Sequence, residues 1–172
     1  FPSISLEGKY WWTIRASPVG LWGLMGEKFL MGFIPLLAMG TVLVGVADTL
    51  LDADRFVVGL SLSTIVCMTG TLSSMAVGFG ALFPRFHVEN IPQIETSPGG
   101  LMYMITAMFY IGVVLSVEAV FMRIHYRHLM NPSLGWPLGT LAWGLAVLVG
   151  VSLSAAWIPV WAGKKHLEAA DI

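Results

Sequence analysis

Few side chains in this chain have types and spacing that could perform chemistry, because only 11% of its 172 residues are charged. Away from the two ends, the candidates are Asp48, Asp52, Asp54, His87, Glu89, Glu95, Glu118, His125 and His128. A membrane enzyme would need acid, base or nucleophile groups that converge at one depth. The three aspartates instead fall where a hairpin between two apolar runs must reverse. This pattern favours a turn and disfavours an enzyme.

A metal site is the second kind of chemistry that these residues suggest. His87, Glu89 and Glu95 match no recognised ligand geometry, so we expect a solvated loop there. His125 and His128 are three residues apart and would share a metal on a helix, but no third ligand is evident. The sequence therefore predicts no metal, and a histidine pair in an outer loop.

Glu118 is considered separately, because ionisable residues inside membrane spans are rare and often functional. It lies about one helical turn before the outer end of a predicted membrane span, and Arg123 follows it in the sequence. We therefore expect an ion pair between these two side chains at the membrane interface.

The elements that carry these residues are strongly apolar. Mean hydropathy is +0.79 and hydrophobic residues make up 56% of the chain. Four runs lack Asp, Glu, Lys and Arg, namely 29–47, 56–84, 96–117 and 129–163. Because roughly 20 helical residues cross a hydrocarbon core of about 30 Å, each run is long enough, or nearly so, to span a membrane.

The sequence therefore predicts an all-α integral membrane protein. We expect four transmembrane helices, over about 29–51, 57–83, 101–122 and 138–162 of a membrane region that covers 29–163. A helix of a soluble protein needs a polar stripe that faces water, and the second run offers only Ser, Thr and Cys67. The single cysteine also excludes a disulfide framework. The net charge of -1, without a basic stripe, disfavours nucleic acid as a partner.

Lys and Arg are distributed unequally between the two sides that four spans would create. Six lie on the side of both ends and the middle loop, and three lie on the other side: Lys9, Arg15, Lys28, Arg85, Lys164 and Lys165 against Arg55, Arg123 and Arg127. Because cytoplasmic segments carry the excess of positive charge, we expect the segment 1–28 and the tail 164–172 in the cytoplasm. The expected location is the cell (inner) membrane.

The leading segment, residues 1–28, combines aromatic bulk with both charge signs. Leu6, Tyr10 and Ile14 recur at helical spacing, and Arg15 follows Trp11 by four residues, so its guanidinium can lie over the indole ring. A proline three residues later ends this helix. We expect an amphipathic helix parallel to the membrane over residues 5–15. The aromatic side chains would equally suit an ordinary interfacial belt.

Small residues predict where helices pack. Gly70, Ser74 and Gly78 repeat every four residues, and Gly135 and Gly139 form one further pair at the start of the fourth span. Such stripes let another helix approach closely. Ordinary membrane composition would also place glycine and serine in a span.

Two stretches of the chain resemble a known family. The run PSISLEGKYWWTIRASPVGLWGLMGEKF is similar to a segment of the permease subunits of bacterial ATP-binding cassette (ABC) exporters, relatives of the type-2 exporter fold. The loop ALFPRFHVENIPQIETSPGG is similar to a second segment of that family. With the hydropathy, the resemblance covers the chain up to about Arg123. The last third matches in hydropathy only.

The resemblance implies a permease that pairs with a separate cytosolic ATP-binding cassette subunit and with a second permease half. It implies that the helix over 5–15 is the coupling helix and that the four spans are helices three to six. This chain would then be the C-terminal part of the permease. The residues expected to contact the cassette subunit are Leu6, Glu7, Gly8, Tyr10, Trp11, Arg15, Pro84 and Arg85.

ATP and magnesium are expected on the partner subunit. This sequence holds no G-x-x-x-x-G-K-[ST] phosphate-binding loop, so we expect no cofactor on this chain and no enzymatic activity of its own. The alternative is a membrane anchor or scaffold without transport activity, whose aromatic helix only holds it at the interface. The sequence does not indicate a transported substrate.

Overall fold

Four long helices form the described part of the protein in a computed structural model. The structure describes residues 21–83, 97–131 and 138–169, and these contain no β-strand. The helices are α1 (Leu21–Leu50), α2 (Arg55–Leu82), α3 (Pro98–Met130) and α4 (Leu138–Ala169). Each is long and apolar enough to cross a membrane. For the described residues, the all-helical prediction with four helices that can span a membrane is therefore confirmed. The helix predicted over 5–15 lies outside the described residues.

The four helices are longer than the predicted spans, mainly at the ends where charged residues begin. α1 includes Glu27 and Lys28, which lie before the predicted start of the first span. α3 has 33 residues, which corresponds to about 50 Å, whereas the hydrocarbon core is about 30 Å thick. The histidine pair His125 and His128, predicted to lie in an outer loop, instead lies within α3, which continues to Met130. Charged residues therefore limit the part of a helix in contact with lipid without ending the helix.

A tight turn joins α1 to α2. The Ala53 amide donates to the Asp48 carbonyl at 2.9 Å, and the Leu51 amide donates to the Ala47 carbonyl at 3.0 Å. Asp52 has a φ of 50°, a left-handed conformation that Asp tolerates better than most residues. The predicted reversal is therefore present, but it begins after Leu50, so that Asp48 belongs to α1.

The end of α2 and the start of α3 lie together. α2 ends at Leu82, and the Phe83 amide donates to the Phe79 carbonyl at 3.1 Å. The buried Ser97 caps α3, because its hydroxyl accepts a hydrogen bond from the Gly100 amide at 3.2 Å. A Cβ built on Gly99 would lie 2.6 Å from the Phe83 Cβ. Glycine at this position therefore lets the end of α2 touch the start of α3.

α2 is the central helix of the bundle. It packs most extensively on α4, less on α1 and least on α3, and α3 also packs on α4. α1 has no buried residue within its most apolar window. Exposed apolar side chains cover the outside of the bundle, as expected for surfaces that face lipid.

Candidate functional site

The partner-coupling residues predicted from the sequence lie outside the described residues. These are Leu6, Glu7, Gly8, Tyr10, Trp11, Arg15, Pro84 and Arg85. What the structure describes is the end of the bundle to which these two segments connect, namely the start of α1, the end of α2 and the start of α3.

Gly78 brings the backbones of α2 and α4 together. A Cβ built on this glycine would lie 2.4 Å from the carbonyl carbon of Pro159 and 2.6 Å from the Val160 amide nitrogen. From the other side, a Cβ on Gly163 would lie 2.6 Å from the Gly78 carbonyl oxygen and 2.7 Å from the Ala81 Cβ. Because Gly78 and Gly163 have no side chain, the two backbones can touch here, which is the role that small residues have between membrane helices.

The other predicted packing residues differ in what they contact. Gly70 faces α1, where its Cβ would lie 3.8 Å from the Phe33 ring. The Ser74 hydroxyl donates to the Gly70 carbonyl at 2.8 Å, within its own helix. A Cβ on Gly139 would meet no neighbouring atom among the described residues, and Gly135 lies outside them. Gly78 is thus the member of the predicted stripe that contacts α4, while Gly70 faces α1.

A buried cluster next to this contact joins three helices. Leu24 and Met25 of α1 pack with Val77 and Ala81 of α2 and with Leu167 of α4. The exposed fractions of these side chains lie between 0% and 7%. We call these five residues the junction cluster. It links the beginning of α1 to the two helices that are in backbone contact.

A tryptophan beside the junction cluster contacts a lysine of α4. The Lys164 ammonium lies 4.7 Å from the Trp22 ring centre, and the Trp22 and Trp157 rings stack with centroids 6.3 Å apart. Lys165 lies 5.4 Å from the Trp161 ring centre in the same way. Tryptophan and lysine at the ends of apolar helices are typical of the interface between membrane and water.

A second buried cluster holds α3 on α4 in the middle of the bundle. Tyr110 is 2% exposed, and its hydroxyl lies 3.0 Å from the Ser152 hydroxyl of α4. Val114 and Leu148 complete the buried part of this cluster. This hydrogen bond satisfies the tyrosine hydroxyl inside an apolar contact, where an unpaired hydroxyl would be costly.

Histidine and aspartate lie together at the turn end of the bundle. The His125 Nε2 of α3 lies 3.4 Å from an Asp54 carboxylate oxygen, and the His125 ring stacks on Phe56 with centroids 4.4 Å apart. No group of three or more metal-ligand side chains exists within the described ranges. His125 thus contacts the start of α2 rather than sharing a metal with His128.

A cavity of about 280 Å³ lies near the same end, between α1, α2 and α3. Its lining includes the acidic residues Asp48 and Glu118 and the hydroxyl-bearing Ser61 and Thr64. In the part of the chain that the structure describes, Glu118 forms no ion pair with Arg123. The expected interfacial ion pair is therefore wrong. Side chains five residues apart on a helix do not face each other, and Glu118 lines the cavity instead.

Comparison with known families identifies the group to which the chain belongs. A family model described as "Putative ATP-binding cassette" matches residues 1–172. The chain belongs to this family. No curated protein and no solved structure matches the chain. Membership of this ABC family, together with four helices that can cross a membrane, makes the chain an ABC-related membrane protein.

Proposed function

We propose that this chain is part of the permease subunit of an ATP-driven exporter. One observation carries the proposal. A model of an ATP-binding cassette family covers the whole chain, yet every described helix is of membrane-spanning type. The sequence also has no phosphate-binding loop of the G-x-x-x-x-G-K-[ST] type. A family member built in this way fits the part of a transporter that lies in the membrane.

ATP and magnesium would be held by a separate cytosolic cassette subunit. When that subunit closes around ATP, its movement must be transmitted to the membrane helices as a mechanical displacement. The segment 1–20 connects directly to α1, and α1 begins with Leu24 and Met25 in the junction cluster. A displacement at this point would pass into α2 and α4 together, because their backbones are in contact at Gly78 and Gly163.

Half of an exporter also needs a second half. A second permease copy or a second half on the same polypeptide would complete the transport path. The orientation that supports this arrangement has the leading segment, the loop over 84–96 and the tail 164–172 in the cytoplasm, on the basis of the Lys and Arg distribution.

The experiment is an affinity purification of the full-length protein in mild detergent, with wild type compared with Glu7→Lys. A cassette ATPase should co-purify with the wild type and be lost with the variant, because reversing this charge on the coupling helix opposes docking. Asp52→Lys is the matched control. It reverses a charge in the exposed α1–α2 turn, which the length of α1, about 45 Å, separates from the start of that helix, and should keep the ATPase.

Each outcome discriminates between permease and anchor. Loss of the ATPase in Glu7→Lys alone supports the coupling helix. Loss in both variants would point to a general effect of charge on the assembly and would count against Glu7 as a docking residue. If no ATPase accompanies any form, the protein is a membrane anchor or scaffold and the exporter proposal fails.

A further inference from the structure

The carboxylate of Asp48 is buried with almost no hydrogen bonding to compensate for the loss of water. Its residue is 7% exposed, and its Oδ2 atom has no hydrogen-bond partner among the described residues. The other oxygen, Oδ1, lies 3.4 Å from the Ser61 hydroxyl. That hydroxyl has a single proton, and the Val57 carbonyl oxygen is closer to it, at 2.9 Å. Because a buried carboxylate without a partner is costly, this arrangement favours a positively charged ligand.

Glu118 makes the cavity doubly acidic. It comes from α3 and lines the same space as Asp48 of α1 and Ser61 of α2. Lysine, arginine and histidine are absent from the lining of this cavity. Three different helices thus each contribute a polar residue to the lining, and no described side chain in it carries a positive charge.

The rest of the lining is apolar, and this decides the class of ligand. Val44, Ala47, Ile65 and Met68 complete the wall. The volume of about 280 Å³ is roughly nine times the share of one water molecule in the liquid, so a bare metal ion would leave most of it empty. An aliphatic ammonium ion matches both the acidic and the apolar residues of the lining. Its charged group would lie at the acidic residues and its carbon chain against the apolar wall.

We propose that this cavity is a binding site for an organic ammonium cation. The ammonium group is a hydrogen-bond donor, the kind of partner that the buried Asp48 side chain lacks among the described residues, and the two acidic residues of the lining offset its charge in surroundings of low dielectric constant. The site is defined by binding alone, so it stands whether or not the exporter proposal holds.

The test uses the full-length protein in lipid nanodiscs, with hexylammonium chloride as the probe and hexanol as its neutral counterpart. Dicyclohexylcarbodiimide, which modifies carboxylic acids in apolar surroundings, reports on the site, and mass spectrometry of peptides locates the modified residue. Hexylammonium should slow the modification of Asp48 and Glu118 at least tenfold and raise the Tm. Hexanol at the same concentration should do neither.

Two variants and one control show where hexylammonium binds. Glu118→Gln should weaken hexylammonium binding roughly tenfold or more, as the loss of one hydrogen bond to a charged group does. Asp52→Asn removes an exposed carboxylate of the nearby turn and should leave binding unchanged. Asp48→Asn should act as Glu118→Gln does. If it does not fold, the Glu118 variant still tests the site, because Glu118 is only half-buried.

Four results would overturn the proposal. Equal protection by hexanol would mean an apolar pocket without charge selectivity, and equal protection by sodium or calcium chloride would reassign the cavity to a metal ion. Unchanged hexylammonium binding by Glu118→Gln would show that the Glu118 carboxylate is not part of the site. Neither protection nor a Tm shift with hexylammonium would show that the cavity takes no organic cation.

Discussion

Replacing Gly78 by alanine tests the packing of the bundle most directly. The new Cβ would lie 2.4 Å from the Pro159 carbonyl carbon, whereas ordinary contact begins at 3.4 Å. The nearest atoms are two backbone atoms and the Cβ of Pro159, none of which can rotate away, so α2 and α4 must separate by about 1 Å at this point. Overpacking of this kind costs about 1–3 kcal/mol. For a chain of this size the corresponding fall in Tm is about 2–12 °C.

The assay is thermal unfolding of the full-length protein in one detergent, followed by tryptophan fluorescence. Gly59→Ala is the matched control, because Gly59 belongs to the same helix and a Cβ there would meet no atom within 4 Å. Both substitutions change helix propensity in the same way, so the difference between their Tm values isolates the contact with α4. Gly70→Ala should resemble the control, since its Cβ would make ordinary contact at 3.8 Å with Phe33.

One result would refute this reasoning. If Gly78→Ala unfolds at the same temperature as Gly59→Ala, the backbones of α2 and α4 do not touch at Gly78, and the helices are held together elsewhere. A fall for both variants would instead show that glycine is needed in α2 for its backbone and not for a neighbour.

Other contacts give further predictions for the same unfolding assay. Tyr110→Phe removes the hydroxyl that pairs with Ser152 and should cost about 0.6 kcal/mol, the average for hydrogen bonds between membrane helices. If the effect is absent when Ser152 is already alanine, the pair is the cause. Ser97→Ala removes the cap on the Gly100 amide and should cost about 0.5–2 kcal/mol, whereas Ser97→Gly should cost only a few tenths. Phe121→Ala should cost about 3–5 kcal/mol, because this ring is 3% exposed and lies against a glycine of α4. A loss below about 1 kcal/mol would show that the ring does not fill that space.

The number and approximate position of the helices follow from the sequence because lipid imposes a simple rule. An apolar run of about 20 residues has no other stable arrangement in hydrocarbon. The ends of the helices are predicted less accurately from the sequence, since Glu27 and Lys28 lie outside the apolar run without interrupting the helix α1. The end of α2 agrees closely with the prediction because Pro84 follows it, and the residue before a proline avoids the helical region.

The acidic cavity was missed for a physical reason. Asp48 directly follows an apolar run and was assigned to a turn, but helical hydrogen bonding continues through Leu50. Glu118 was paired with Arg123 from proximity along one helix, although its neighbours in space come from α1 and α2. A sequence indicates the face and depth of a residue within its own helix. Which residues of other helices share that depth depends on how the helices pack.

The contact at Gly78 divides α4 into two unequal arms. From Pro159 toward Ala169 the helix extends about 15 Å, and toward Leu138 it extends about 32 Å. Backbone touches backbone at this point. If α4 tilted about this contact, its Leu138 end would move in the opposite direction and about twice as far as its Ala169 end. A small movement at the end that carries Lys164 and Lys165 would then be about doubled at the other end of the helix.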